Sequence, residues 1–175
     1  MNGKIASLSI LLCSIIAGGA LYYLQVYGFY DDVTDAFTEV ELLPIGENST
    51  TAIAATAIEA IDAESSPIRF RACFSTPETL PDLQAEYQVV TGVDPRNAPK
   101  WFECFDAEAI AAELKAGTAV TFLGQKNVDF GVDRIVAITD AGRGYIWHEL
   151  NDCGEKAYDG TIVGEECPRR PEAAE

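Results

Sequence analysis

Residues 132–150, VDRIVAITDAGRGYIWHEL, contain two apolar-rich runs, VDRIVAIT (132–139) and RGYIWHEL (143–150), joined by DAG. Valine, isoleucine and aromatic side chains suit a pleated, half-buried surface, and Gly142 stands where a tight loop needs positive φ. The pair predicts an antiparallel hairpin. Outward from it, SPIRFRACFS (66–75) alternates, with Ile68, Phe70, Ala72 and Phe74 on one side and Arg69, Arg71 and Cys73 on the other. FTEVELLPI (37–45) reads as a first strand closed by Pro44, and TAVTFLG (118–124) as another, while STTAIAATAIEAID (49–62) suits either a helix or a strand.

Two helices punctuate these strands. FDAEAIAAELKAG (105–117) has Asp106 as its N-cap, Glu108 in its first turn, Ile110 and Leu114 as a buried stripe, Lys115 in its last turn and Gly117 as its stop. TPETLPDLQAEYQVVTG (76–92) places Leu83, Tyr87 and Val90 at helical spacing, which predicts a second, short helix. VDPRNAPK (93–100) is turn chemistry. The expected class is α+β, a small and largely antiparallel sheet domain over residues 31–168, with a frayed tail at 169–175.

Ahead of this domain, Ile5 to Val26 carries no charge, and Gln25 is its most polar member. A helix of that length crosses the ~30 Å hydrocarbon core of a bilayer. A cleavable signal has a shorter apolar core before a small-x-small site; here the run continues past Ala17, Gly18, Gly19 and Ala20 into LYYLQVY. Residues 1–30 are therefore expected to stay as a transmembrane signal-anchor. Cys13 follows Leu12 rather than a small residue, so it reads as an inert thiol and not a lipid-attachment site.

Lys4 precedes the run and Asp31 and Asp32 follow it, which puts the N-terminus in the cytoplasm. Tyr23, Tyr27 and Tyr30 are spaced to share one helix face, as an interfacial aromatic belt or as a stripe against another membrane helix. Ser14 and Gly18 form a small-xxx-small pair that would admit such a neighbour.

From Asp31 onward, eleven basic residues stand against 28 acidic ones, a net charge of −17. That excludes nucleic acid, whose phosphates require Lys and Arg to displace counterions, and it opposes lying flat on anionic lipid. It suits a soluble acidic surface or docking to a basic partner. Four cysteines lie beyond the anchor, and an even number on an oxidising face points to two disulfides. Four thiols allow three pairings. The favoured one joins Cys153 to Cys167 across a loop rich in Gly and Asp, and Cys73 to Cys104 from a strand to the entry of the best helix. There is no C-x-x-C, no close Cys/His pair for zinc and no C-x-x-C-H, so no cofactor or metal is expected.

His148 is the only histidine, beside Glu149 in YIWHELND, and invites a general-base role. Strand neighbours point to opposite faces, however, so the two do not meet through adjacency, and a partly buried, hydrogen-bonded histidine is the simpler expectation. Arg69 and Arg71 are expected to find carboxylates; left unpaired, they would form an anion or peptide-carboxylate site. Trp101, Phe102 and Phe105 in KWFECF line a groove or join the core. No G-x-S-x-G, H-E-x-x-H, P-loop or G-x-G-x-x-G occurs.

MNGKI, YYLQVYGFY, SSPIRFRACFS, WFECFDAEAI, FLGQKNVDFGVDRIVA and YIWHELNDCG together resemble an uncharacterised bacterial family of short, single-span, membrane-anchored proteins, a domain-of-unknown-function family. The resemblance implies placement and supplies no site residues. The functional expectation is a non-enzymatic accessory or interaction protein of the bacterial inner membrane, with a periplasmic domain and a membrane protein or complex as partner. The alternative is a periplasmic small-ligand sensor or enzyme in which Arg69, Arg71, His148 and Glu149 converge on one pocket.

Overall fold

The computed structural model describes residues 3–165 and Cys167; the predicted tail at 169–175 and the domain's last residue at 168 lie outside them. The apolar run forms α1 (Gly3–Tyr23), which continues as a π-helical turn over Leu24–Gly28. At ~1.5 Å per residue α1 is roughly 31 Å long, close to the thickness of a hydrocarbon core. None of its residues is buried.

The strands that follow are β1 (Asp31–Asp32), β2 (Val40–Leu42), β3 (Thr51–Ile53), β4 (Thr56–Asp62), β5 (Arg71–Ser75), β6 (Ala119–Asp129), β7 (Val132–Thr139) and β8 (Arg143–Leu150). The helices are α2 (Leu80–Glu86) and α3 (Ala107–Ala116). Six strands make one antiparallel sheet in the order β1-β4-β5-β8-β7-β6, and β2 and β3 pair separately. The fold is α+β, an N-terminal apolar helix followed by a mostly antiparallel sheet with two short helices.

Both faces of the sheet are covered, which is why Ile135–Ile138 in β7 and Tyr145–Trp147 in β8 are unbroken apolar runs. One face carries Ala72, Phe74, Val136, Ile138 and Ile146, packed under β2, α2 and Tyr87. The other carries Cys73, Ile135, Ala137, Tyr145 and Trp147, packed under Phe102, Phe105 and Ile110. The register alternates accordingly, with Ala72 and Val136 opposite Ile146 and Arg71 and Ile135 opposite Trp147.

Elements with strong local signals form as the sequence predicts. In α3 the Asp106 carboxylate accepts from the backbone N–H groups of Glu108 and Ala109, and Gly117 closes the helix at φ +75°. The β7–β8 turn holds Gly142 at φ +73°.

One open reading is decided and two expectations change. Residues 49–62 resolve into β3 and β4, because both pair with neighbouring strands. The helix in 76–92 ends at Glu86; Tyr87 bridges Pro44 and Val89 bridges Phe122, so this segment is drawn out along the edge of β6. There Leu123 N–H donates to Gln88 O (2.9 Å) and Val90 N–H to Thr121 O (2.9 Å). The strand expected over 66–75 begins only at Arg71, since Pro67–Arg69 form a 3-10 turn. Arg69 and Arg71 therefore do not share a strand face.

Gly144 lies opposite Phe74, and a Cβ added there would run into the Phe74 ring. Both residues are central and buried, so neither can yield cheaply. Gly144→Ala is expected to lower stability by at least about 2 kcal/mol, as overpacked cores do, read from chemical denaturation of the full chain in detergent.

Candidate functional site at the end of the apolar helix

The segment 93–105 has little regular structure, yet it is fixed at several points. Cys73 in β5 is bonded to Cys104, with their Cα atoms 6.2 Å apart. Phe102 and Phe105 are buried against the sheet. Arg96 forms a two-pronged ion pair with Glu149 of β8, its Nε donating to Oε2 at 3.0 Å and Nη2 meeting Oε1.

Arg71 binds the same segment from within. Its Nε and Nη2 donate to Asn97 O (3.2 and 2.9 Å), and Nε also reaches Arg96 O (3.1 Å). Its Nη1 donates to Ile68 O (2.9 Å) and Phe70 O (2.6 Å). Arg71 is only 4% exposed, and burial lowers its pKa to about 10, so it remains a cation at neutral pH. The carboxylate partner expected for it is replaced by four backbone carbonyls, which the rigid guanidinium fork spans and an ammonium could not.

This pinned segment delivers Trp101 to the end of the apolar helix. The Trp101 indole N–H donates to Val26 O (2.6 Å), one of the carbonyls that a helix end leaves open. Tyr27 stacks on Trp101 with centroids 6.3 Å apart, Tyr30 meets it edge-on at 6.0 Å, and Tyr23 stacks on Tyr27 at 6.0 Å. Arg69 Nη2 donates to Gln25 Oε1 (3.0 Å), and its guanidinium lies 5.7 Å from the Tyr30 ring centre. In place of the carboxylate that its sequence context predicts, Arg69 holds an amide and an aromatic face.

The tyrosine stripe is thus partly consumed within the chain. Tyr30 lies beyond the helical turns, and Tyr27 and Tyr30 pack on the domain's own tryptophan. Ser14 turns its hydroxyl back to Ile10 O (2.9 Å), and nothing stands within 4 Å of a Cβ placed on Gly18. Cys13 is free and exposed on α1. Cys153 and Cys167 form the second disulfide.

His148 sits on the opposite face of the sheet from Arg71 and Glu149. It is 6% exposed and stacked on Phe70 with centroids 4.8 Å apart. Its Nδ1 lies 2.7 Å from Pro67 O, and Arg134 Nε donates to its Nε2 at 3.2 Å. A carbonyl on one side and a cationic donor on the other require the neutral ring with its proton on Nδ1. Arg134 lies over the Phe37 and Phe70 rings, 5.1 and 5.0 Å from their centres. The sheet therefore separates His148 from Arg71 and Glu149, and the four residues of the enzymatic alternative do not converge. Gln25 escaped sequence reasoning as a contact residue, although it was the one strongly polar side chain in the run.

A family model described as a family of unknown function (DUF6446) matches residues 40–168. No curated protein and no solved structure matches the chain.

Burial lowers the His148 pKa to about 4, with Arg134 and Arg71 also opposing its charge and the Pro67 carbonyl favouring it. The unfolded chain therefore binds a proton more tightly, and stability is complete above the unfolded pKa of about 6.5 and falls as pH drops towards 4. At about 1.4 kcal/mol per tenfold in proton affinity, the difference amounts to roughly 3 kcal/mol. Equilibrium unfolding between pH 7 and 4 is expected to show this loss, and His148→Gln is expected to flatten it.

Proposed function

The chain belongs to this family of unknown function, and we propose that it is a membrane-anchored interaction protein without catalytic activity, set in a bacterial inner membrane. The N-terminus is cytoplasmic, and the domain from Asp31 onward stands in the periplasm. Its partner is a membrane protein or complex, met by the Ser14–Gly18 side of α1 and by the acidic domain.

The observation that carries this reading is α1 itself. It is a bilayer-length apolar helix with no residue buried against its own domain, while its C-terminal end is locked to that domain. A helix serving only as the core of a soluble fold would be packed along one face. The two disulfides support an oxidising location, and Lys4 before the span with Asp31 and Asp32 after it supports the orientation. The residues with chemical potential support a non-enzymatic role, since Arg71 is saturated by carbonyls and His148 is neutral and buried.

If the domain is periplasmic, alkylation of denatured protein before reduction labels Cys13 alone, and all five cysteines react after reduction. Four further reactive thiols before reduction would place the domain in a reducing compartment and remove the proposal. A photo-crosslinking residue at Ser14 or Gly18 is expected to yield one discrete protein adduct in intact membranes. At Leu12 or Ile16, on the other side of α1, it is expected to label lipid; equal labelling from both sides would exclude a directed helix partner.

A further inference from the structure

We propose that Trp101 is a second membrane contact: its ring lies in the headgroup layer of the bilayer that α1 spans, so the domain rests on the membrane in one orientation rather than swinging from a tether. The inference rests on α1 crossing the bilayer, as proposed above.

Depth is the first ground. The apolar span runs over Gly3–Gly28, and α1 alone fills the hydrocarbon thickness. Val26 therefore lies within a turn of the hydrocarbon boundary. Trp101 is hydrogen-bonded to Val26 O, so its ring sits at the same level. Tryptophan prefers that layer, where the ring meets acyl carbon and the N–H finds an acceptor.

Exposure is the second ground. Trp101 is 37% exposed although it touches Val26, Tyr27, Tyr30 and Phe102, and it continues the stack of Tyr27 and Tyr23, each at least 46% exposed. A ring placed only to cap the helix would be covered by the protein it caps. Here more than a third of the residue is left uncovered, and at this depth lipid is what meets it.

Rigidity is the third. There is no linker between anchor and sheet: Gly28 ends the π-helical turn and Asp31 already pairs with Asp62 of β4. The segment bearing Trp101 is tied to the sheet by the Cys73–Cys104 bond, Arg71 and the Arg96–Glu149 pair. A rigid domain joined to the span at both Tyr30 and Trp101 has little freedom to tilt away.

The charge around the ring selects the lipid class. The hollow beside Trp101 is lined by Asp32, Glu59 and Glu103. Carboxylates there repel anionic headgroups, so the contact is aromatic insertion among zwitterionic headgroups and gains nothing from anionic lipid.

The test uses the full chain reconstituted in phosphatidylcholine vesicles and its two tryptophans. Trp147 is fully buried and supplies a silent background. A lipid spin-labelled near the headgroup is expected to quench one component of the emission more strongly than a lipid labelled at the chain terminus. Trp101→Phe is expected to remove that component, and replacing part of the phosphatidylcholine by phosphatidylglycerol should not increase it. Trp101 emission untouched by either labelled lipid, yet quenched by the neutral aqueous quencher acrylamide, would show the domain standing off the bilayer and overturn the inference. Resistance to alkaline extraction is measured on the same vesicles. A chain that washes off refutes the anchor itself, whereas one that stays with an acrylamide-accessible Trp101 refutes only the docking.

Discussion

The attachment of segment 93–105 to the sheet is the constraint on which the geometry at the end of the apolar helix depends. Ordering backbone outside helices and strands costs on the order of 1–2 kcal/mol per residue and is not offset by ladder hydrogen bonds. Here the ordering is offset by a disulfide, two buried phenylalanines, an ion pair and the Arg71 guanidinium, all reaching from β5 and β8 or packing upon them. Arg71 is the innermost of these. It gathers carbonyls from the 3-10 turn and from the segment at once, so its loss would leave several buried acceptors unpaired as well as a hole.

A buried cation, Arg71, and a half-buried one, Arg134, sit on opposite faces of the sheet in a domain that is otherwise strongly acidic. Arg71 answers to backbone carbonyls, and Arg134 to two phenylalanine rings and an imidazole. Neither is paired within contact distance to a carboxylate among the described residues. Burying full ion pairs would desolvate both partners, whereas a guanidinium is weakly hydrated and accommodates aromatic faces and carbonyls. The carboxylates can then remain at the surface, in water.

The same economy accounts for residues that first suggested chemistry. His148 is placed by strand alternation on the Phe70 side and Glu149 on the Arg96 side, so adjacency in sequence becomes separation by the sheet. Arg69 is diverted by Pro67, which opens a 3-10 turn and lets the side chain swing to Gln25 and Tyr30. What remains accessible where the apolar helix meets the domain is aromatic: Trp101 with the tyrosines of the helix end.

Sequence alone determined the features whose causes are local. The apolar span needs only length and the absence of charge; α3 needs Asp106 and Gly117 at its ends; the β7–β8 hairpin needs two β-prone runs about a turn containing Gly142. The strand face bearing Ile146 and His148 followed from a period of two. Tertiary structure decided what depends on residues far apart in the chain. Residues 87–91 are extended rather than helical because the edge of β6 offers hydrogen bonds that outweigh a marginal helical spacing. The fates of Arg69, Arg71 and Trp101 turned on acceptors at Gln25, Asn97 and Val26, which no spacing rule connects to them. A side chain's neighbours along the chain set its direction, but its partner is whatever polar group the folded chain brings within 3 Å or so and screens from water.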